Sequence, residues 1–258
     1  MKNSARNNKR ITTLTWVVIF ALWYFVTKFN LVSATLFPSP LTVWESFVDI
    51  LNNGYNRISL WSHLGASFYR LFSALFFAII TAIPLGLLSG YFYRIRAVVD
   101  SIIEFIRPLP PLAYYTLLIL WFGIDNTSKI ILLFIAAFSP IYIACVSAVG
   151  NIPQDYILSA ESLGANKRDV FFKIVLYATL PEIFVGIRTA VGVAYTTLVS
   201  AEMIAATSGI GWMVLDASNY VKSDVIFVGI IIMGITGIII NQMLKLIEEK
   251  IVFWKGNS

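Results

Sequence analysis

Arg188 and Glu202 are charged residues within a mostly apolar stretch that covers residues 180–206. A charged side chain within a membrane-spanning helix costs about 2.5–3.5 kcal/mol on insertion scales, so it usually faces protein or a water-filled cavity. About four helical turns, or about 21 Å, separate the two residues, so they share a broad face but cannot pair directly. The residues predicted to line a pathway are Arg188, Gly192, Thr196, Ser200 and Glu202. The alternative is that Arg188 reaches the membrane boundary and bonds helix ends there.

The other reactive side chains do not assemble into a catalytic or metal site. Cys145 is the only cysteine and His63 the only histidine, which excludes an internal disulfide and a Cys/His metal cluster. We expect Cys145, in an apolar run, to be a small buried hydrophobe. His63, beside Trp61, is predicted to belong to the aromatic belt at the outer membrane surface. The paired acids Glu248 and Glu249 are predicted to lie on a solvated helix face.

The chain also lacks a phosphate-binding loop. No Gly-x-x-x-x-Gly-Lys-Ser/Thr sequence occurs in it, so the nest of backbone amides that cradles nucleotide phosphates is missing. The sequence therefore predicts that this chain is not an enzyme and holds no cofactor. If ATP drives its function, the energy must arrive mechanically through a partner.

The composition places the chain in a lipid bilayer. Apolar residues make up 58% of its 258 positions and charged residues 13%, with a mean hydropathy of +0.79. Soluble domains average roughly 45–50% apolar and about 25% charged residues. Five or six spans of about 20 residues account for most of the length and leave no room for a separate soluble catalytic domain. The net charge of +5 fits attraction to anionic lipid, and no nucleic-acid partner is predicted.

Six apolar segments are long enough to be considered as spans. They are residues 11–29, 71–93, 110–124, 130–149, 180–206 and 225–247. The third is short, because about 15 residues barely cross ~30 Å of hydrocarbon. Pro108, Pro110 and Pro111 precede it and block the continuation of a helix. Because broken helices are tolerated in a membrane only against protein or water, we expect this segment inside the bundle.

Basic residues predict the orientation. With six spans and a cytoplasmic N-terminus, 13 of the 19 basic residues fall on the inner side, as the positive-inside rule requires. These are Lys2, Arg6, Lys9, Arg10, Arg94, Arg96, Arg107, Lys167, Arg168, Lys173, Lys245, Lys250 and Lys255. Both termini and the polar stretch 151–179 are then cytoplasmic. That stretch is predicted to form two short helices, 156–163 and 167–177, broken at Gly164. It is either a docking surface for a soluble partner or a plain solvated loop.

The same stretch resembles the cytoplasmic signature of ABC importer permeases. That signature reads Glu-Ala-Ala, three residues, Gly, nine residues, then Ile-x-Leu-Pro. Aligned on Gly164, Ala160 matches the second Ala, and Ile174 and Leu176 fall in register. The chain departs from the signature at Leu158, Ser159 and Tyr177, where the family has Glu, Ala and Pro.

Further blocks over roughly residues 35–255 are similar to the taurine, sulfonate, nitrate and bicarbonate permeases. They are Phe37-Pro38-Ser39-Pro40, Trp61-Ser62-His63-Leu64 with Ser67 and Arg70, Ile83-Pro84-Leu85-Gly86-Leu87, Glu104-Phe105-Ile106-Arg107-Pro108, Leu120-Trp121-Phe122-Gly123, Gly186-Ile187-Arg188 and Thr197-Leu198-Val199-Ser200-Ala201-Glu202. The block around Trp61 and the sequence Leu180-Pro181-Glu182-Ile183 favour the taurine branch of that group.

The resemblance implies a fold and an assembly. It implies an all-α membrane protein of about six transmembrane helices with a cytoplasmic coupling-helix hairpin, the type I permease fold of ABC importers. Residues 1–64 would hold the N-terminal tail, the first span and an extracytoplasmic loop, and residues 65–258 the core permease domain. The partners would be a second copy of the chain, two ATP-binding subunits that hold ATP and Mg, and an extracytoplasmic substrate-binding protein. The residues implied in coupling are Ala160, Glu161, Gly164 and Ala165.

The function implied is ATP-driven import of a small sulfonate-like solute across a bacterial inner membrane, with taurine as the best candidate. Nitrate, bicarbonate or a small heterocycle are alternative solutes for the same complex. A secondary transporter driven by an ion gradient is an alternative class, although paired inverted repeats and midplane ion ligands are not evident. An intramembrane enzyme would need clustered His, Asp or Glu at one depth, which the sequence does not supply.

Overall fold

The computed structural model describes residues 2–254, with side chains from residue 11 onward, and within this range it is helical. The helices are α1 (Lys2–Lys28), α2 (Pro40–Asn53), α3 (Leu60–Tyr91), α4 (Tyr93–Ile106), α5 (Pro111–Phe122), α6 (Asn126–Gly150), α7 (Gln154–Ser162), α8 (Lys167–Asp169), α9 (Leu176–Ala205), α10 (Ile210–Asn219) and α11 (Ser223–Ile251). A π-helical turn, Val170–Val175, joins α8 to α9. The predicted inner-side basic groups of Lys2, Arg6, Lys9, Arg10 and Lys255 lie outside the described side chains.

Five of the described helices are long and apolar enough to cross a membrane: α1, α3, α6, the continuous helix Lys167–Ala205, and α11. A sixth crossing is possible if α4 and α5 together form one span, bent by 99° at their junction. The junction is the proline-rich sequence 107–110, so the predicted break before the short third segment is confirmed.

The predicted location of that short segment inside the bundle is wrong for the single chain. The sharp turn leaves α5 packed by one face only, against α6 and α9. Tyr115 and Leu118 are buried on this face, whereas Leu120 on the other side is 78% exposed, and Trp121 is exposed as well. Helix α5 is therefore a peripheral element whose outer face is available to lipid or to another subunit.

Helices α3, α6 and α9 form the main core. Fully buried side chains such as Leu71, Leu132 and Ala190 fill it, and Cys145 lies among them as predicted. The helix backbones approach closely at two glycines. A Cβ on Gly86 would lie 2.6 Å from the Cβ of Cys145, and a Cβ on Gly186 would overlap the Ala144 methyl group. Small residues at such crossings let lipid-embedded helices pack backbone to backbone.

A second, smaller cluster lies at the bundle end opposite α7. Val43 and Ile50 of α2 pack there against Met213 of α10 and Val228 of α11. The hydroxyl of Tyr55 donates a hydrogen bond of 2.8 Å to Asp216. Burial and the Asp216 carboxylate raise the pKa of Tyr55, so this hydroxyl remains a neutral donor. The segment between α2 and α3 is thereby fixed to α10.

The predicted second hairpin helix does not end near Tyr177. Instead, helical backbone runs without a break from Lys167 to Ala205, a length of 39 residues. Pro181 lies within α9 and removes one backbone donor, but it does not separate the hairpin from the span. The hairpin and the long span are therefore one mechanical unit.

The close crossing of α6 and α9 gives a stability test. Gly186→Ala should destabilise the permease by about 1–3 kcal/mol, because the added methyl group overlaps Ala144. Ala144→Gly in the same chain should restore most of the loss by making room. Gly234→Ala is the matched control, since a Cβ there meets nothing within 4 Å. Melting temperatures in detergent would measure all three variants, and equal values for the two alanine variants would contradict the close packing.

Candidate coupling and transport surfaces

The connection between α7 and α8 is a tight helix-ending turn centred on Gly164. Gly164 has a φ of +86°, a region that favours glycine. Its N–H donates to the carbonyl of Glu161 at 2.9 Å, and the N–H of Ala165 donates to that of Ala160 at 3.0 Å. These two bonds form a Schellman motif, which satisfies the last carbonyls of α7. The side chain of Asn166 then caps α8 by accepting from the N–H of Asp169 at 2.9 Å.

The four residues predicted for coupling therefore lie together in one short turn. Ala160 and Ala165 are half-buried in it, and Glu161 and Gly164 face outward. Tyr156 and Ala160 of α7 and Leu163, the residue that ends this helix, lie on one side of the hairpin, since they are spaced by four and three residues. Leu163 is 89% exposed, and Tyr156 is also exposed. An apolar ridge with a small residue at its centre is a surface suited to insertion into a partner's cleft.

The base of this hairpin is anchored in the bundle. Val170 and Val175 of the π-helical turn are fully buried. The Phe171 ring packs edge-on against Tyr91 at the end of α3, with 6.0 Å between centroids. Movement of the hairpin tip would therefore be transmitted to α9 directly and to α3 through this aromatic contact.

Helix α9 presents an open polar stripe to its surroundings. Gly192 and Thr196 are exposed and Ser200 is half-exposed, and the spacing of four residues places them on one face. The Thr196 hydroxyl donates to the carbonyl of Val193 at 2.9 Å, and that of Ser200 to the carbonyl of Thr196 at 3.1 Å. The structure thus brings together three of the five predicted pathway residues on an uncharged, weakly polar surface.

Glu202 does not share that face. It is 1% exposed and accepts hydrogen bonds from Arg70 at 2.6 Å and Ser67 at 2.8 Å, both on α3. Arg70 also donates to Asn126 at 2.7 Å and to the carbonyl of Ser208 at 2.8 Å. In this conformation the carboxylate is enclosed by protein, because a buried charge needs a complete set of partners. The pathway prediction does not hold for Glu202 here.

His63 belongs to the same network, so its predicted place in an exposed aromatic belt is wrong. Its side chain is 0% exposed and stacks on Trp212, with 5.6 Å between ring centroids. Its Nδ1 accepts from the N–H of Gly209 at 3.1 Å. Trp61, two residues earlier, is exposed, because it lies on the opposite side of α3.

Three consecutive backbone donors at the start of α10 find their acceptors in this network. Besides the N–H of Gly209, that of Ile210 donates to the Ser67 hydroxyl at 3.1 Å, and that of Gly211 to Glu202 at 2.9 Å. These N–H groups have no partners within their own helix. The sequence holds one sign of this network. His63, Ser67 and Arg70 are spaced by four and three residues, so they lie on one face of α3. What the sequence did not indicate was their partner on α9.

Arg188 lies on yet another side of α9 and forms an ion pair with Glu248 of α11. Glu248 is only 8% exposed, so its predicted location on a solvated face is wrong, whereas Glu249 is exposed as predicted. Glu248 lies on the face of α11 that is turned toward α9, whereas Glu249 points away from it, because successive residues on a helix are rotated by about 100°. As expected, Arg188 and Glu202 do not pair with each other; each finds its partner on another helix.

Among the described residues, no group of three His, Cys, Asp or Glu side chains is placed to hold a metal ion. The candidate functional regions are thus two exposed surfaces, the hairpin and the stripe on α9, and one buried polar network at the end of the bundle opposite the hairpin.

Residues 82–253 match the family described as the binding-protein-dependent transport system inner membrane component. The chain belongs to this family. It is 38% identical over 243 residues to the taurine transport system permease protein TauC of Escherichia coli, which covers 94% of this chain and 88% of that protein. The chain is also 32% identical to SsuC of Bacillus subtilis, a putative aliphatic sulfonates transport permease protein. That match covers 93% of this chain and 86% of SsuC.

The nitrate import permease protein NrtB of Leptolyngbya laminosa is 29% identical to this chain, and the match covers 93% of this chain and 87% of NrtB. The fold resembles a chain of the methionine ABC transporter MetNI in its inward-facing conformations, with a TM-score of 0.58 and 18% identity. That match covers 75% of this chain and 95% of the other. The chain is therefore an ABC importer permease of the taurine, sulfonate and nitrate group, and a transport subunit rather than an enzyme. The predicted family and fold class are confirmed.

The buried network gives a second stability test. Glu202→Ala should destabilise the protein by about 3–5 kcal/mol, because Arg70 remains buried without its counter-charge. The double variant Arg70→Met/Glu202→Leu should melt above Glu202→Ala alone, since it leaves no uncompensated charge. Glu249→Ala, which removes an exposed carboxylate, serves as the control. If Glu202→Ala and Glu249→Ala have equal melting temperatures, the pair does not hold this end of the bundle together.

Proposed function

We propose that this chain forms the translocation pathway of an ATP-driven importer for a small sulfonate-like solute, with taurine as the favoured substrate. The observation that carries the proposal is the similarity to a taurine permease over 94% of the chain at 38% identity. The similarity to sulfonate and nitrate permeases supports the wider class of small oxyanion solutes.

The proposed complex contains two copies of this chain, two ATP-binding subunits and an extracytoplasmic substrate-binding protein. ATP and Mg would be bound by the ATP-binding subunits. The open stripe of α9 supports the second copy, because a polar surface on a spanning helix is better placed against protein or water than against lipid. The orientation proposed from the basic residues puts the hairpin and both termini in the cytoplasm.

Coupling is proposed to run through the hairpin. The ATP-binding subunits would receive the ridge of Tyr156, Ala160 and Leu163, and their closure would move it. Because helical backbone continues from Lys167 to Ala205, that displacement passes into the span that carries Gly192, Thr196 and Ser200. The pair of Arg188 with Glu248 would carry it on to α11. We therefore assign Arg188 a linking role and the uncharged stripe the lining of the pathway.

The test of the function is reconstitution of the complete transporter in liposomes. Taurine should be taken up in an ATP-dependent way and should stimulate ATP hydrolysis in the presence of the substrate-binding protein. Uptake of an alkanesulfonate or nitrate instead of taurine would support the assignment as an ATP-driven importer but would show that taurine is not its solute. Uptake that ignores ATP and collapses with an ionophore would reject the importer in favour of an ion-coupled transporter.

A hairpin variant tests the coupling. Gly164→Leu should keep ATP hydrolysis but lose most solute transport, because a bulky residue at this exposed turn obstructs docking, while its Cβ would meet no atom within 4 Å in the chain. The positive φ adds a strain of about 1–2 kcal/mol. Gly123→Leu is the control, because Gly123 also has a positive φ, of +81°, and lies at the end of α5 away from the hairpin, where a Cβ likewise meets nothing within 4 Å. With a ψ of 177° its backbone lies in a region that is almost exclusive to glycine, so the control is strained at least as much. The ratio of solute moved to ATP hydrolysed is the readout, and a normal ratio in Gly164→Leu would contradict the assignment.

A further inference from the structure

A cavity of about 760 Å³ lies at the hairpin end of the bundle. Its walls are the elbow between α4 and α5, the second half of α6 and the first half of α9. Thr189 of the α9 face borders it, so it adjoins the stripe assigned to the pathway. This volume falls within the range of about 300–1,000 Å³ that is typical of small-molecule sites.

Two opposite charges line the cavity from separate elements. Arg107 lies at the elbow and Glu182 on α9. Among the described residues neither takes part in an ion pair, although other charges in the bundle do. Within the described part of the chain, the Glu182 carboxylate receives only the long hydrogen bonds of Asn151, at 3.4 and 3.5 Å. The cavity therefore presents one cationic and one anionic group that have no ion-pair partner among the described side chains.

Neutral polar groups accompany these charges. Ser139 is buried in the cavity wall, and within the described structure its hydroxyl has no hydrogen-bond partner in the chain. Ser147, an exposed residue two turns further along α6 toward Asn151, also lines the cavity. Ile143 and Val193 supply apolar surface between the polar groups. A few separated polar groups in a mostly apolar wall are what fix the orientation of a small ligand.

We propose that this cavity is a transient binding site for a zwitterion, an aminoalkanesulfonate, with its sulfonate at Arg107 and its ammonium group at Glu182. The proposal rests on the proposed function and deepens it by naming the substrate class. A guanidinium donates several parallel N–H groups that match the oxygens of a sulfonate, and a carboxylate accepts from an ammonium group. The serine hydroxyls are free to complete the hydrogen bonding of either end.

The same arrangement discriminates against simple anions. Nitrate, or an alkanesulfonate without an amine, satisfies Arg107 but leaves the Glu182 carboxylate without a counter-charge and repels it. Specificity arises from such repulsion of the wrong solute as much as from attraction of the right one. Glu182 is thus assigned as the residue that selects for the amine.

The test uses the purified permease with its ATP-binding subunits in lipid nanodiscs, with the substrate-binding protein omitted. Taurine is compared with propane-1-sulfonate, in which a methyl group replaces the ammonium group. Glu182→Gln should weaken taurine binding about tenfold and leave propane-1-sulfonate binding unchanged or stronger. Arg107→Gln should weaken the binding of both solutes. Glu249→Gln and Arg94→Gln remove exposed charges elsewhere and should change neither.

Uptake by the wild-type transporter separates this proposal from the proposed function. If the wild type imports taurine but Glu182→Gln binds both solutes as the wild type does, the zwitterion site is rejected and the importer stands. If Glu182→Gln loses both solutes equally, the selection by the amine is likewise rejected. A wild type that imports only a simple anion would reject both the solute and the site. Unchanged melting temperatures, together with recovery of taurine binding in Glu182→Asp, would show that the variants act on binding and not on folding.

Discussion

The buried ion pair of Arg70 and Glu202 fixes one end of this bundle, and much of the structure depends on it. Taking two charges out of water costs several kcal/mol per ion, which close contact alone does not repay. The cost is offset here because Asn126, Ser67 and the backbone of residues 208–211 complete the hydrogen bonds. The same network supplies acceptors for the first backbone N–H groups of α10. One network thus joins α3, α9 and α10 and the start of α6.

The hairpin end is held differently. Its turn is stabilised by local backbone hydrogen bonds around Gly164 and by the buried Val170 and Val175, and its tip faces outward. No comparable buried ion pair is present there in the described residues. Helix α9 therefore connects a firmly bonded end to an end whose tip is exposed. Under the proposed function, a displacement of the exposed end would tilt the helix about its fixed end, which is the motion that alternating access requires.

Several features could be predicted from the sequence because their causes are local. Hydropathy gave the spans, the prolines before residue 111 gave the broken helix, and Gly164 gave the break in the hairpin. The features that were missed depend on contacts between distant residues. Glu202 and Arg70 are 132 positions apart, and the burial of Glu248 depends on which face of α11 meets α9. Helix α5 was placed inside the bundle because a broken helix needs protein or water around it, but the break lies at the junction with α4 and the apolar outer face of α5 is exposed.

The three charged residues of α9, Glu182, Arg188 and Glu202, lie in three different environments. Glu202 is enclosed by protein and paired, and Arg188 is paired at the contact with α11 while remaining partly exposed. Only Glu182 faces a cavity with no ion-pair partner in the described chain. A membrane helix retains such a charge at a cost unless water or a solute meets it. Because the cavity also holds Arg107, the charge left on α9 and the charge left at the elbow are complementary to the two ends of one small zwitterion.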